Sequence, residues 1–369
     1  MKERPMDPIN LKRIHGSIAI VLFVTIAYLS ATSLRASQNS DSSALLKNAV
    51  TQLNQGQIDR AISNLEKIVK DYPNDVNARH LLANIYLSEN EGSKAKKNYL
   101  EVIRMDPKNA EAYNNLGITY LKQGQAENAV HSFLAAIERD PKFAEAYYNL
   151  GELALVSGRL NEALDFFRKV EEINTNHRSV HHKLAIVLAK TGVFNQSFEE
   201  FKRAIALDPQ NMQIVNDLGL ACLAAHEWEK AAEQFKKVVE SVPDSTVGHY
   251  GLGMALKGLK KQEEAAIEFQ RTLQISPEFI DPYLELGDLY FDLGRFKEAE
   301  KIYAKVVPLY EEAIRNNRKN LSAKLMLAKV LLNLGREKDA RKHLETILRD
   351  GDLASAIVTE ARAVIERLI

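Results

Sequence analysis

From residue 42 onward, small and large apolar side chains recur with a period of 34 residues. When each unit is numbered from its first residue, a small side chain stands at position 20 and a large apolar one at position 24. Residues four apart share one face of an α-helix, so this spacing predicts a helix with one buried face. Proline turns close most units, and these prolines are Pro73, Pro107, Pro141, Pro209, Pro243 and Pro277. Because proline stops a helix, the pattern predicts pairs of helices separated by turns.

The repeating frame divides most of the chain. The contiguous units are 42–75, 76–109, 110–143, 144–177, 178–211, 212–245, 246–279 and 280–313. A ninth unit, 321–354, follows an insertion at 314–320, which predicts a longer second helix with a bend at Pro308. Residues 355–369 have apolar side chains at helical spacing, and we expect them to form a capping helix.

Residues 110–143 carry the motif most fully. Its positions are Tyr113, Leu116, Gly117, Tyr120, Gly124, Ala129, Phe133, Ala136 and Pro141. The motif resembles that of the tetratricopeptide-repeat family, and the resemblance covers residues 42–354. It implies an all-α fold, a solenoid of helix-turn-helix units wound into a right-handed superhelix. Small residues at positions 8 and 20 would let the two helices approach closely, and glycine at position 15 would end the first helix in a left-handed conformation.

In this family the first helix of each unit lines a concave groove, with positions 2, 5, 6, 9, 12 and 13 pointing inward. The candidate peptide-binding residues are Asn84, Asn114, Asn115, Lys122, Tyr148, Asn149, Glu152, His182, Lys183, Asn216 and Tyr250. Asn115 and Asn149 both occupy position 6, where an amide can donate to and accept from an extended peptide. The alternative interpretation is that asparagine is simply common at that position.

Other kinds of site fit the sequence poorly. The subfamily that clamps the carboxylate of chaperone tails needs a cation where this chain has Glu145. His177 and His181 have a spacing that could hold a metal ion, but His181 stands at a packing position and no cysteine lies nearby. The glycines at 251, 253 and 258 lack the Gly-Lys-Ser/Thr of a phosphate loop. We therefore expect no catalytic residue, metal or cofactor.

The segment 16–34 contains no charged side chain and, as a helix, would span about 28 Å. Basic residues are concentrated in residues 1–15, which places that end in the cytoplasm and the repeats on the other side, the periplasm in a Gram-negative bacterium. An uncleaved transmembrane signal anchor with a linker at 35–41 is the favoured interpretation. A signal peptide cleaved near Ala31-Thr32-Ser33 and a buried apolar helix are the alternatives.

Lysine plus arginine and aspartate plus glutamate each number 49, so the formal net charge is zero and does not favour nucleic acid as a partner. The lone cysteine, Cys222, cannot form an internal disulfide bond. We expect a membrane-tethered scaffold that binds other proteins or extended peptides, with self-association through terminal units left open. A substrate-recruiting or regulatory subunit of a separate enzyme and a secreted adaptor are the alternative functions.

Overall fold

The computed structural model describes residues 40–352 and 355–368. These residues form α-helices joined by turns. The helices are α1 (Ser40–Asn54), α2 (Ile58–Asp71), α3 (Val76–Ser88), α4 (Gly92–Met105), α5 (Ala110–Lys122), α6 (Ala126–Arg139), α7 (Ala144–Val156), α8 (Leu160–Ile173), α9 (Val180–Lys190), α10 (Phe194–Leu207), α11 (Met212–Ala224), α12 (Trp228–Ser241), α13 (Thr246–Gly258), α14 (Gln262–Ile275), α15 (Asp281–Asp292), α16 (Phe296–Asn316), α17 (Leu321–Asn333), α18 (Glu337–Asp350) and α19 (Ala356–Glu366).

Within the described residues, none of the helices has both the length and the apolar character needed to cross a membrane. The predicted segments 1–15 and 16–34 lie outside the described residues. Of the predicted linker 35–41, only Ser40 and Asp41 are described, and both belong to α1. Membrane anchoring therefore stays a prediction from the sequence.

Odd-numbered helices from α1 to α17 are the first helices of their units, and the helix that follows each is the second. Several first helices begin directly after a side chain that caps their free amide groups. Asn109, for example, accepts a hydrogen bond from the amide of Ala112 at 2.9 Å. Asp75 and Asn320 do the same for the amides of Ala78 and Ala323. Such caps fix where each unit starts.

The chain divides after Val193 into two compact bodies, called here the amino-terminal body and the carboxy-terminal body. In the amino-terminal body, the position-24 rings of Tyr99, Phe133 and Phe167 are fully buried. A β-carbon added to Gly117 at position 8 would come within 2.6 Å of the Phe133 ring. The predicted close approach of the two helices at position 8 is therefore confirmed.

The carboxy-terminal body is built in the same way. Its position-24 rings, those of Phe201, Phe235, Phe269 and Tyr303, are buried at 2% exposure or less. Gly253 at position 8 faces Phe269, where an added β-carbon would lie 2.6 Å from the ring. One packing rule thus applies in both bodies.

The end of each first helix has a residue in the left-handed region at position 15. Gly124 and Gly158 both have φ of +73°, as the motif predicts. Asn90, His226 and Lys260 occupy the same position with φ of +61°, +58° and +63°. The backbone of these three residues adopts a left-handed conformation that glycine would adopt without steric cost.

Four of the turns between units are held by the side chain at position 4 of the following helix. Arg79 donates to the carbonyl of Pro73 at 3.2 Å, and Tyr283 donates to that of Pro277 at 3.1 Å. His181 and His249 place Nε2 at 3.1 and 2.9 Å from the carbonyls six residues earlier. His181 therefore closes its turn, even though Thr175 replaces the proline that usually stands at position 32 of the preceding unit.

The insertion before the ninth unit extends a helix. Helix α16 has 21 residues and contains Pro308, which confirms the longer second helix, while the bend at Pro308 stays a prediction. At the carboxy terminus, Val358 and Ala361 of α19 are fully buried, and the helix packs against α17 and α18. It covers apolar surface that the ninth unit would otherwise expose.

Candidate peptide-binding face

Four of the predicted site residues form a chain of hydrogen bonds, called here the amide ladder. Asn149 Nδ2 donates to Asn114 Oδ1 at 2.8 Å, and Asn114 Nδ2 donates to Asn115 Oδ1 at 3.1 Å. Asn115 Nδ2 then donates to Asn84 Oδ1 at 3.1 Å. The hydroxyl of Tyr99 donates to the same Asn84 oxygen at 2.6 Å. The ladder thus runs across α7, α5 and α3, the first helices of three consecutive units.

The amide ladder lies inside the amino-terminal body. Its four asparagines are between 1% and 5% exposed. Buried amides need hydrogen-bond partners, and the bonds from Asn149 to Asn114 and from Asn115 to Asn84 join neighbouring units. The ladder therefore links successive first helices, and peptide binding by these amides stays a prediction.

Other predicted residues of the amino-terminal body also connect neighbouring units. Lys122 Nζ donates to the carbonyl of Leu87 and to Asn90 Oδ1, both at 3.0 Å. Its partial burial lowers the pKa of the Lys122 ammonium. Lys183 Nζ pairs with Glu152 Oε2 at 3.0 Å, and both side chains are less than one-fifth exposed. Lys122 and Lys183 therefore both have partners within the protein.

Tyr148 and His182 complete the predicted set in this body. The Tyr148 ring is 5% exposed and packs against Phe167 and His177, with ring centroids 5.6 and 5.1 Å away. Burial and the charge of Glu152 raise the pKa of the Tyr148 hydroxyl. His182 is partly exposed. Tyr148 therefore serves packing, with its ring turned into the body.

In the carboxy-terminal body the predicted residues are Asn216 and Tyr250. Asn216 is 8% exposed, and its Oδ1 has no hydrogen-bond partner in the part of the chain that the structure describes. The Tyr250 ring lies between those of Phe269 and Phe279, at centroid distances of 5.9 and 5.0 Å. Burial, then the charge of Glu285, raises the pKa of Tyr250. Neither residue belongs to the amide ladder.

We call the positions 2, 5, 6, 9, 12 and 13 of the first helices the inner row. In the amino-terminal body this row contains a group that the sequence prediction did not single out. His80 Nε2 and Glu111 Oε1 lie 4.0 Å apart, and both are buried atoms without a hydrogen-bond partner among the described residues. The His80 ring, 4% exposed, meets the Tyr99 ring edge-on at a centroid distance of 5.9 Å. The segment Ala-Glu-Ala-Tyr, present at both 110–113 and 144–147, could have drawn attention to the glutamates at position 2.

The electrostatic state of this group follows from its surroundings. Burial, then the charge of Glu145, raises the pKa of Glu111 to about 7. Burial lowers the pKa of His80 to about 4, because a charged ring would lose its hydration there. At neutral pH the His80 ring is therefore uncharged, and Glu111 lies near the midpoint of its titration.

Comparison with known families supports the repeat assignment. The model described as the cilia and flagella-associated protein 70 C-terminal domain matches residues 24–251, more than half of the chain. The model described as the tetratricopeptide repeat matches residues 279–350. No curated protein matches this chain.

Several solved structures resemble the fold. A tetratricopeptide repeat protein from Parabacteroides merdae is 18% identical over 69% of this chain and 97% of its own, with a TM-score of 0.54. PilF of Pseudomonas aeruginosa is 22% identical over 56% of this chain and 94% of its own, with a TM-score of 0.51. A chain in the structure of the Cut9–Hcn1 hetero-tetramer of the APC/C is 17% identical over 84% of this chain and 59% of its own length, with a TM-score of 0.52. At these identities the likeness concerns the fold alone.

Proposed function

Since the chain belongs to the tetratricopeptide-repeat family, we propose that it is a non-catalytic scaffold that binds extended segments of partner proteins along the inner row. The observation that carries this proposal is a pair of apolar side chains that the inner row leaves exposed to solvent, those of Leu220 and Val247. An extended peptide offers apolar side chains to such residues, and its backbone brings hydrogen-bond donors and acceptors at every residue.

The carboxy-terminal body offers apolar contacts along its inner row. Leu220 at position 9 is 43% exposed and Val247 at position 2 is 48% exposed. Tyr250 and Met254, also in the inner row, are partly exposed. Apolar side chains in solvent gain from contact with an apolar partner, so this body suits apolar side chains of a bound segment.

The proposal includes a tether. Residues 16–34 would hold the scaffold at a membrane, with the repeats on the non-cytoplasmic side, because the basic residues precede this segment. A secreted adaptor would instead lose the segment by cleavage. Amino-terminal sequencing of the mature protein distinguishes the two.

The test of peptide binding uses the full-length chain in detergent and an immobilised pool of random twelve-residue peptides. Leu220→Glu and Val247→Glu place a charge on the inner row, whereas Ile267→Glu, on the second helix α14 at a site 62% exposed, is the matched control. We expect the inner-row variants to lose about tenfold in binding and the control to bind as the parent does. A parent that binds no peptide, or a loss confined to Ile267→Glu, would rule out this function for the inner row. Circular dichroism confirms that each variant is folded.

A further inference from the structure

Two phenyl rings at the carboxy-terminal end of α15 are exposed to solvent. Phe291, at position 12 of the inner row, is 54% exposed, and Phe296, the first residue of α16, is 59% exposed. Their ring centroids lie 5.2 Å apart, and the rings meet edge-on at an interplanar angle of 74°. We call these two side chains the ring pair. Because covering them would remove apolar surface from water, the ring pair favours contact with an apolar side chain of a partner.

Exposed carboxylates lie on the same helix as Phe291. Asp281, Asp288 and Asp292 occupy positions 2, 9 and 13 of the inner row, and all three are exposed. Residues three or four apart are neighbours on a helix surface, so Asp288 lies beside both Phe291 and Asp292. Asp288 also accepts a hydrogen bond from the hydroxyl of Tyr303. Among the described residues, none of the three aspartates forms an ion pair with a lysine or arginine.

The inner row of the carboxy-terminal body contains two lysines, and both are paired with other carboxylates. Lys257 Nζ lies 2.6 Å from Glu285 Oε2, and Lys329 Nζ lies 2.5 Å from Glu360 Oε1. Neither lysine is therefore available to compensate the aspartates of α15. This end of the inner row has an excess of negative charge that a partner can neutralise.

The end of α15 strengthens the attraction for a cation. Asp292 is the last residue of this helix, where the helix dipole is negative, and Asp288 lies four residues earlier, where two like charges repel each other. Arg295 is the cation closest to Asp292 in the sequence. Its Nε donates to Glu298 at 2.6 Å, and its guanidinium group lies over the Tyr290 ring at 4.4 Å from the centroid. A partner's cation would therefore reduce the repulsion at this helix end.

We propose that the end of α15 binds a partner segment that carries a large apolar side chain and a lysine or arginine two residues apart. The apolar side chain would cover the ring pair, and the cation would lie between Asp288 and Asp292. Alternate residues of an extended chain point the same way and lie about 6.6 Å apart. This spacing is close to the distance of about 5–6 Å between the β-carbons of residues three apart on a helix, such as Asp288 and Phe291.

This site rests on the proposed function, because it requires that a partner segment lie along the inner row. It adds the chemistry of two positions in that segment. The test uses pools of twelve-residue peptides with two fixed residues, two places apart and in both orders, and with uncharged random residues elsewhere. The fixed pairs are leucine with lysine, leucine with glutamine, leucine with glutamate, and serine with lysine. Each pool is presented to the full-length chain in detergent at pH 7.5 and at about 50 mM salt, where screening is weak.

The parent is compared with three double variants. Asp288→Asn with Asp292→Asn removes both charges and keeps an oxygen at residue 288 that can accept from the Tyr303 hydroxyl. Phe291→Ala with Phe296→Ala removes the ring pair. Glu311→Gln with Glu312→Gln is the matched control, because it removes two exposed charges from the second helix of the same unit. Circular dichroism confirms that each variant is folded.

We expect the parent and the control to prefer leucine with lysine over leucine with glutamine by about tenfold. The aspartate variant should reduce this preference to within about twofold and still bind leucine pools better than the serine pool. Salt at about 1 M should have the same effect on the parent, because it screens exposed charges. The phenylalanine variant should lose about fivefold in its preference for leucine over serine and keep its preference for lysine.

Equal binding of the lysine and glutamine pools by the parent, or a preference for the glutamate pool, would overturn the cation site and leave the proposed function intact. A lysine preference that the aspartate variant retains in full would also overturn it. Sedimentation might instead find a dimer of the parent and a monomer of the phenylalanine variant, and this result would assign the ring pair to a second copy of the chain. If the parent bound none of the pools, the proposed function and this site would fail together.

Discussion

The pH dependence of stability in the amino-terminal body should change when Glu111 is replaced by glutamine. The folded state holds the pKa of Glu111 at about 7, above its ordinary value of 4.5. Between these values the folded state binds a proton that the unfolded state has released. Stability that is fully present below pH 4.5 is therefore lost as the pH rises towards 7. At 1.36 kcal/mol per pH unit, the loss amounts to about 3 kcal/mol.

His80 has the opposite effect, since its pKa falls from 6.5 to about 4 on folding. The unfolded state binds the extra proton, so stability increases as the pH rises from 4 to 6.5 and is lost as it falls back. The two contributions nearly cancel in the parent between pH 4.5 and 6.5. Glu111→Gln removes one of them, and its stability should therefore rise with pH over this interval by about 3 kcal/mol.

The measurement must report on the amino-terminal body itself, because unfolding of a repeat protein need not be two-state. The lone tryptophan, Trp228, belongs to the carboxy-terminal body, so fluorescence is unsuitable here. Hydrogen exchange of the amides in α3 and α5, corrected for intrinsic rates, gives the local free energy of opening at each pH. The observable is the difference between Glu111→Gln and the parent, in which contributions from other groups cancel.

That difference should grow between pH 4.5 and 7 and be constant above and below. Glu127→Gln, which removes an exposed carboxylate from α6 of the same unit, is the matched control. If the Glu111→Gln difference is constant within about 0.5 kcal/mol from pH 4.5 to 8, Glu111 titrates as in water and the reasoning fails.

Three further changes test the packing. Asn115→Ala should destabilise the amino-terminal body by about 1–3 kcal/mol, because it leaves buried amides of the ladder without partners, and the loss should appear in hydrogen exchange of α3, α5 and α7. Gly151→Ala should cost about 1–3 kcal/mol in the same assay, since its β-carbon would come within 2.6 Å of the Phe167 ring; unchanged protection of α7 would contradict the contact. Lys260→Gly should stabilise the carboxy-terminal body by up to about 1 kcal/mol by relieving a left-handed φ of +63°, seen as a higher urea midpoint of Trp228 fluorescence. A lower midpoint would mean that the flexibility of glycine in the unfolded state outweighs the relief.

The repeat pattern predicted the helix pairs because each of its positions has a local physical role. Proline at position 32, glycine at position 15 and the glycine-ring contact between positions 8 and 24 all act within one unit, so the sequence of one unit is enough to show them. The longer α16 was also predictable, since inserted residues without a turn signal extend a helix.

The site was harder to predict because its contacts join different units. The sequence placed Asn115 and Asn149 at position 6, but only the structure shows that their amides are occupied by Asn84 and Asn114. The pairing of Lys183 with Glu152 likewise depends on distances between helices. Glu111 stood at an ordinary position in the motif, and its raised pKa comes from burial and from the charge of Glu145. Such properties depend on three-dimensional surroundings, which residue spacing does not specify.

The hydrogen bonds of the position-4 side chains span few residues, which determines how far a local disruption extends along the repeats. Each of Arg79, His181, His249 and Tyr283 bonds to a carbonyl only six residues earlier, so the turn that it closes depends on a short stretch of chain. Closing so short a stretch costs little chain entropy and requires no distant part of the protein to be in place. A substitution that removes one of these hydrogen bonds should therefore open that turn and its immediate neighbours, and leave the remaining turns closed. A protease would cut such a variant close to the substituted residue and release large, still-folded fragments on either side.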